Sequence, residues 1–404
     1  LIPHGIASAF FCKMDQKPHS PLLALVLSGG GARGAYQAGV LAGVSEVAHQ
    51  MGMSNPFDII SGVSAGAING ACVASAGAES HCAEHLKLFW KTVRTENVFR
   101  LDVCSIASIG ARWAADLVLG GLIKSERAHS LLDTTPLKNF LSRLINFDQI
   151  SDRIKNQDLK AFTVTATDYG TSDSVSFVWA SQEFTPWRMA RRYSEKSQIT
   201  LKHILGSCAI PLFFPPVKIG ENYFGDGCLR NSTPLSPAIH LGAEAIIVIG
   251  VKKRETSYSS PDLIKHNPTL GTVFSTLLNA VLLDGIDTDL HLLEKTNLLV
   301  DTVEETSRAQ LPIRFVETLM ITPSEDIGAI ALEEMAALPQ MLHYLLGGWG
   351  TERETAELAS YLFFEPAFCI RLLQLGKKDA MARSAEIENI LLLKGNKQQA
   401  RRAS

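Results

Sequence analysis

The front half of this chain predicts an α/β domain built on a parallel sheet. Short apolar runs alternate with segments whose apolar residues recur at helical spacing, the order that successive β-α-β units require. Two of those runs, at 22–28 and 57–60, pass directly into glycine-rich turns that open helices. The helix after the second turn, 65–76, is so rich in Ala and Gly that it can lie very close to a sheet.

Residues 22–28 read as a buried strand feeding a turn. From 35 to 49, Val40, Leu41, Val44 and Val47 fall at helical spacing. The second strand, at 57–60, and the small-residue helix, at 65–76, follow. Residues 79–150 read as mostly helical, with Thr135-Pro136 as a helix start: Thr at the N-cap and Pro at the first helical position. The strand-like runs 161–167 and 174–179 flank a Gly/Ser/Asp turn and predict an antiparallel hairpin added to the sheet. A helix at 199–208 closes at Ile210-Pro211, and a small hairpin at 217–224 delivers Gly225-Asp226-Gly227. Next come a short helix at 234–241, an apolar strand at 245–251 and a polar, proline-containing loop at 255–270. An amphipathic helix at 271–299, a last strand at 313–322 and a mostly helical stretch at 326–395 complete the order. Within that stretch Leu338, Met341, Leu342, Leu345 and Leu346 are helix-spaced and read as core, with a membrane-facing patch as the alternative. The expected organisation is a flexible extension over 1–20, a domain over 21–325, and a helical C-terminal extension over 326–404 packed on that domain.

A length of 404 residues allows one large domain or two to three smaller ones. Composition, at 46% hydrophobic and 20% charged, is ordinary globular material. The net charge of −3 carries no nucleic-acid signature, so no nucleic-acid partner is expected. The 7 cysteines are scattered, odd in number and without a C-x-x-C pair, which argues against a metal centre or disulfide framework and for a reducing compartment. No apolar run approaches the roughly 20 residues that span a bilayer. The stretch before Met14 lacks the basic start and long apolar core of a signal peptide. The expectation is a cytoplasmic protein with transient contact at a membrane surface. The basic tail beyond Lys377, ending in Arg401 and Arg402, either touches anionic membranes or is simply solvated.

Ser64 is the central residue of the G-x-S-x-G of Gly62-Val63-Ser64-Ala65-Gly66. A serine hydroxyl is a poor nucleophile unless it gains an exposed position, a base and a place for negative charge to develop. Glycines at 62 and 66 permit a strained strand-to-helix turn with the hydroxyl at its tip. Chance alone produces the pattern about 0.1–0.2 times in a chain of this length. A plain glycine turn is therefore the competing reading, and the flanking strand and helix favour the catalytic one.

The earlier loop, Ser28-Gly29-Gly30-Gly31-Ala32-Arg33-Gly34, is also open to two readings. Gly29, Gly31 and Gly34 fit the dinucleotide fingerprint G-x-G-x-x-G, which would make the chain a nucleotide-binding regulator. That reading wants an acidic residue at the end of the next strand, yet Asp58 stands at its beginning. No G-K-[ST] follows, which excludes a phosphate P-loop. The other reading is an oxyanion hole, with N–H groups around Gly30 and Gly31 at the start of a helix whose dipole favours negative charge. Arg33 adds positive potential, locks the loop, or is a surface arginine paired with a carboxylate.

A base is needed as well. His203, His240, His291 and His343 lie inside apparent helices and read as structural or surface residues. Asp226, between Gly225 and Gly227, is better placed, since glycines let a carboxylate approach another backbone; a simple Asp-Gly turn is the alternative. An aspartate with its ordinary pKa near 3.9 is a weak base, so the site must raise it or rely on oxyanion stabilisation.

In this order and on these elements, G-G-G-A-R-G, G-V-S-A-G and D-G resemble the patatin-like phospholipases over roughly 22–325. That resemblance implies a three-layer α/β/α fold of modified α/β-hydrolase type with a mostly parallel central sheet, and a lipid acyl hydrolase with a Ser–Asp dyad. By position, Ser64 would be the nucleophile, Asp226 the base, and Gly29–Gly34 the oxyanion hole; no cofactor or metal is implied. The segment Ala209-Ile210-Pro211-Leu212-Phe213-Phe214-Pro215-Pro216 is similar to the family's approach to its aspartate. Cys228 departs from the family, which usually has Gly or Ala there. The implied substrate is a phospholipid or other fatty-acyl ester. Acyl esterase, thioesterase or acyltransferase chemistry is the alternative within the same dyad. Three arginines and two aromatics in Trp187-Arg188-Met189-Ala190-Arg191-Arg192-Tyr193 add a candidate contact for an anionic headgroup through Arg188, Arg191 and Arg192, or else a solvated loop.

Overall fold

Ten strands join in one mixed sheet among the residues described by a computed structural model, which are 21–76, 82–100, 130, 132–231, 233–254, 269–308, 310–348 and 350–402. The strands are β1 (Leu23–Leu27), β2 (Ile59–Val63), β3 (Ala161–Asp168), β4 (Ser174–Ala180), β5 (Arg188–Met189), β6 (Arg192–Lys196), β7 (Val217–Ile219), β8 (Asn222–Asp226), β9 (Ala245–Ile249) and β10 (Glu317–Ile321). Their order is β10-β9-β1-β2-β3-β4-β6-β5, with β8 on β3 and β7 on β8. The run from β10 to β3 is parallel throughout. The extension over 1–20, the helical expectation across 101–129, the loop at 255–268 and the side chains of Arg401 and Arg402 lie outside the described residues.

The parallel strands are buried on both faces, which is why they read as unbroken apolar runs. Side chains alternate between two cores. Leu23, Leu25, Leu27, Ile60, Phe162 and Ile247 face the first, which the helices Gly34–Gln50, Ala65–Ser75, Cys82–Thr92 and Pro366–Ala382 help to build. Ala24, Val26, Ile59, Ile246 and Val248 face the second, closed by Ser236–His240 and Gly285–Asp301. The result is the expected three-layer α/β/α arrangement with a further helical region at the C-terminal end.

Two details differ from the sequence expectation. The amphipathic segment 271–299 is two helices, Leu270–Leu282 and Gly285–Asp301. Leu282 and Leu283 are both buried, while Asp284 turns outward to Lys252 (2.6 Å), so the chain bends where its periodicity slips. Residues 187–193 are not a plain solvated loop but a hairpin, β5 to β6, turned at Arg191 with φ 63°. It forms the exposed edge of the sheet, where a strand needs no apolar face and leaves little hydrophobic pattern to read.

The C-terminal helices are fitted tightly to the domain. Gly39 leaves no room for a Cβ against the carbonyl of Leu373, and Gly376 none against that of Tyr36, so Gly34–Gln50 and Pro366–Ala382 cross backbone to backbone. Of the five helix-spaced residues, Leu338, Leu342 and Leu346 are buried, in line with the core reading, and Met341 and Leu345 are half-buried.

Candidate active site

β2 runs into Ser64 and the helix Ala65–Ser75 begins at the next residue. Ser64 takes φ 54° and ψ −126°, a conformation that costs an L-residue on the order of 1–3 kcal/mol. The turn closes because Gly62 and Gly66 have no side chains: a Cβ on Gly62 would strike the carbonyl of Gly66, and one on Gly66 those of Leu27 and Ser28. Two neighbouring side chains, Ser207 and Cys208, help to hold the strained residue. Ser207 Oγ accepts from the Ser64 amide (2.9 Å) and donates to the Thr165 carbonyl (2.6 Å). The Cys208 thiol donates to the Ser64 carbonyl (3.1 Å).

Asp226 reaches Ser64 through strand register. β2 lies parallel to β3 and ends with Val63 opposite Thr165. β8 lies antiparallel to the same strand and ends with Asp226 opposite Ala166. The C-terminal ends of β2 and β8 therefore meet head to head along β3, and 162 residues of sequence separation (226 minus 64) disappear. Thr167 Oγ1 donates to the Asp226 carbonyl (2.8 Å), and the Asp226 amide donates to the Ala209 carbonyl (2.8 Å).

The carboxyl of Asp226 is fully buried (0% exposed), and burial pushes its pKa up to about 6. The Ser64 hydroxyl and the amide and thiol of Cys228 oppose that shift by favouring the ionised form. The Cys228 amide donates to Oδ1 (2.9 Å), whereas Oδ2 has no partner of full hydrogen-bond geometry among the described residues. Gly227 is required here too, since a Cβ would overlap the Thr165 carbonyl.

The glycine loop lies over this pair. A Cβ on Gly29 would come 3.1 Å from Ser64 Cβ, and one on Gly34 would come 2.9 Å from Ala65 Cβ. Gly30 and Gly31 take φ 153° and 57°, which only glycine adopts easily. Among the described residues neither amide donates a hydrogen bond. Loop and turn are tied by a buried amide network: Asn69 donates to the Gly34 carbonyl and to Gln37 Oε1 (both 2.9 Å) and accepts from Trp90 Nε1 (2.9 Å). Gln37 in turn donates to the Ser28 carbonyl (2.8 Å). Asn69→Leu strands Gln37 Oε1 and the Trp90 indole N–H together, so urea unfolding is expected to show a loss of at least about 2 kcal/mol.

The sequence left Arg33 three roles, and its contacts fit the lock. Its side chain is 3% exposed, donates to Ser360 Oγ (2.8 Å) and Glu357 Oε1 (2.7 Å), and lies 4.2 Å from the ring centroid of Tyr361. It pins the loop to the helix Glu352–Leu362, and it is not the surface arginine of the plainest reading. Asp58 accepts from the Leu23 amide (2.9 Å) and pairs with Lys394 (3.0 Å), at the opposite end of β1 from the glycine loop, where a ribose on that loop is out of reach.

The four histidines are engaged elsewhere than at Ser64 and Asp226. His203 bonds Thr200 (3.0 Å) in a helix cap, and burial lowers its pKa to about 4. His240 stacks on Trp187 (4.8 Å), and His291 and His343 are exposed.

The arginines fall at the sheet edge. Pairing runs Asp226, Ala166, Val175, Tyr193, Arg188 in one row, so Arg188 shares the face of Asp226. Arg192 belongs to the adjacent row with Ser174 and Thr167, on the other face, where it bonds Thr233. Arg191 pairs loosely with Asp173 (3.9 Å). Four strand steps of about 4.8 Å put Arg188 about 19 Å from Asp226.

Residues 25–239 match the family model of the patatin-like phospholipases. The chain belongs to that family. Structural similarity extends over 91% of this chain and 67% of VipD from Legionella pneumophila, at 11% identity and a TM-score of 0.33. It extends over 92% of this chain and 59% of human GIVD cytosolic phospholipase A2, a structure in complex with methyl γ-linolenyl fluorophosphonate, at 12% identity and a TM-score of 0.40. The patatin-like chain thus spans about two thirds of one and less of the other. No match was found among curated proteins. No single described helix is long and apolar enough to cross a membrane.

Sequence reasoning missed Ser207, Cys208, Asn69, Ser360 and Glu357. Asn69 left one signal, an amide in an otherwise apolar, small-residue helix. The others act through tertiary contacts that no local spacing encodes.

Proposed function

We propose that this patatin-like protein is a serine acyl hydrolase of the phospholipase A or lysophospholipase type, acting through Ser64 and Asp226. One observation carries the reading: a strained serine and a desolvated aspartate meet at the ends of two strands that share β3. Ionised Asp226 takes the hydroxyl proton as Ser64 Oγ attacks the ester carbonyl. The carbonyl oxygen becomes an alkoxide beside the unengaged amides of Gly30 and Gly31, at the start of the helix Gly34–Gln50. Collapse expels the alcohol, which recovers the proton from Asp226. Water then repeats the sequence and releases the fatty acid. Ser64 is only 2% exposed, so water has little access to the acyl-enzyme ester except along the substrate path.

A fluorophosphonate probe tests the dyad. Labelling of the wild type that disappears in Ser64→Ala and falls sharply in Asp226→Asn supports it. Labelling that survives Ser64→Ala rejects Ser64 as nucleophile, and binding of NAD or ATP without labelling revives the regulator reading.

The exposed edge position of Arg188 and Arg191 supports their reading as a contact for an anionic lipid headgroup. Arg188→Glu with Arg191→Glu is expected to slow hydrolysis on anionic vesicles several-fold and leave a soluble ester unaffected. Equal effects on both substrates would remove this contact from the account.

A further inference from the structure

We propose that Cys228 is a positioning residue for Asp226, its backbone amide and its thiol together fixing the carboxylate against the glycine loop. The inference rests on the dyad reading above and adds to it a residue that the motif spacing does not mark. Cys228 follows Asp226 by two positions in a one-turn helix, Gly227–Leu229, that Asp226 itself caps. The amide grips Oδ1 at 2.9 Å. The thiol is buried and lies against Gly29, where a Cβ would overlap Sγ.

Asp226 Oδ2 is buried and has no partner of full geometry, which leaves the carboxylate dependent on the few donors facing it. From the strand-to-helix turn comes the Ser64 hydroxyl, the group to be deprotonated. From its own loop comes the Cys228 thiol. Cys208, at the end of the helix Leu201–Ser207, and Tyr169, just past β3, also face it, but Cys208 spends its proton on the Ser64 carbonyl. Among these, Cys228 is the donor besides Ser64 that favours the ionised aspartate without entering the reaction. Burial raises its own pKa well above the ordinary thiol range, so it stays a neutral S–H donor through the working pH range.

The test compares wild type, Cys228→Ala and Cys228→Ser on a soluble ester from pH 5 to 9. Alanine keeps the amide and deletes the donor. Its acid limb in kcat/KM is expected to move to higher pH, a loss of about two- to five-fold at pH 6 with little change at pH 8. Serine restores a donor and is expected to bring the limb back toward wild type. A purely packing role predicts a uniform loss at all pH values, which would overturn the proposal, as would coincident limbs for alanine and wild type. Fluorophosphonate labelling at pH 8 reports that each variant is folded, and if alanine does not fold, a serine limb displaced from wild type by more than about one unit overturns the proposal. Ser64→Ala is run in parallel: hydrolysis surviving there refutes the dyad itself, whereas an inactive Ser64→Ala with unshifted Cys228 limbs refutes only the role of Cys228.

Discussion

Ser64→Ala is expected to lower ester turnover by at least about 10³-fold, because loss of the nucleophile removes the covalent route and leaves only oxyanion stabilisation and binding. The fold should survive the change, since the Ser64 amide and carbonyl, rather than its hydroxyl, make the bonds to Ser207 and Cys208. Ser64→Gly sharpens the test. Glycine adopts φ 54° with little strain, so it should be equally inactive yet more stable than alanine by about 1 kcal/mol. Thermal melts and steady-state hydrolysis of both variants check this pair of outcomes. An active alanine variant would remove Ser64 from the mechanism.

Asp226→Asn is expected to cost about 10²–10⁴ in kcat, the range of a general base. Its second signature is in pH. With a pKa raised to about 6, wild-type Asp226 is ionised above that value, so activity should fall through pH 6 and reach roughly a tenth of its plateau near pH 5. The stability consequence has the opposite sign. A raised carboxyl pKa means that folding disfavours the charged form. The penalty is absent below the unfolded value of 3.8, grows between there and 6, and is fully present above. Asparagine lacks that charge, so it should stabilise the protein at pH 8 by at most about 3 kcal/mol and have no such effect near pH 3.5. Urea titrations at the two pH values measure the difference. An asparagine variant less stable than wild type at pH 8 would mean that the carboxylate is better solvated than its burial indicates.

Much of the site was legible because it is made of turns. Gly30, Gly31, Gly62, Gly66 and Gly227 are demanded by positive φ or by carbonyls that leave no room for a Cβ, and such demands are written residue by residue. The strands were legible for a similar reason, since burial on both faces leaves an unbroken apolar run. The β5–β6 hairpin and the break at Leu283-Asp284 were less so. An edge strand has no required pattern, and a helix break depends on what each end packs against.

Local sequence also left each motif with a second meaning: Ser64 as a bare turn, the glycine loop as a dinucleotide cradle, Arg33 as a surface ion pair, Asp226 as a hairpin corner. The chain alone established the α/β order, the two glycine turns and the aspartate between glycines, because backbone sterics act over a few residues. Which of these residues meet was decided by pairing, since β3 carries β2 and β8 end to end and places Asp226 at Ser64. Assembly likewise gave Arg33 its anchor on Glu357 and gave Asp226 its buried, poorly solvated carboxylate. Desolvation and register are properties of the assembled layers, and no stretch of sequence contains them.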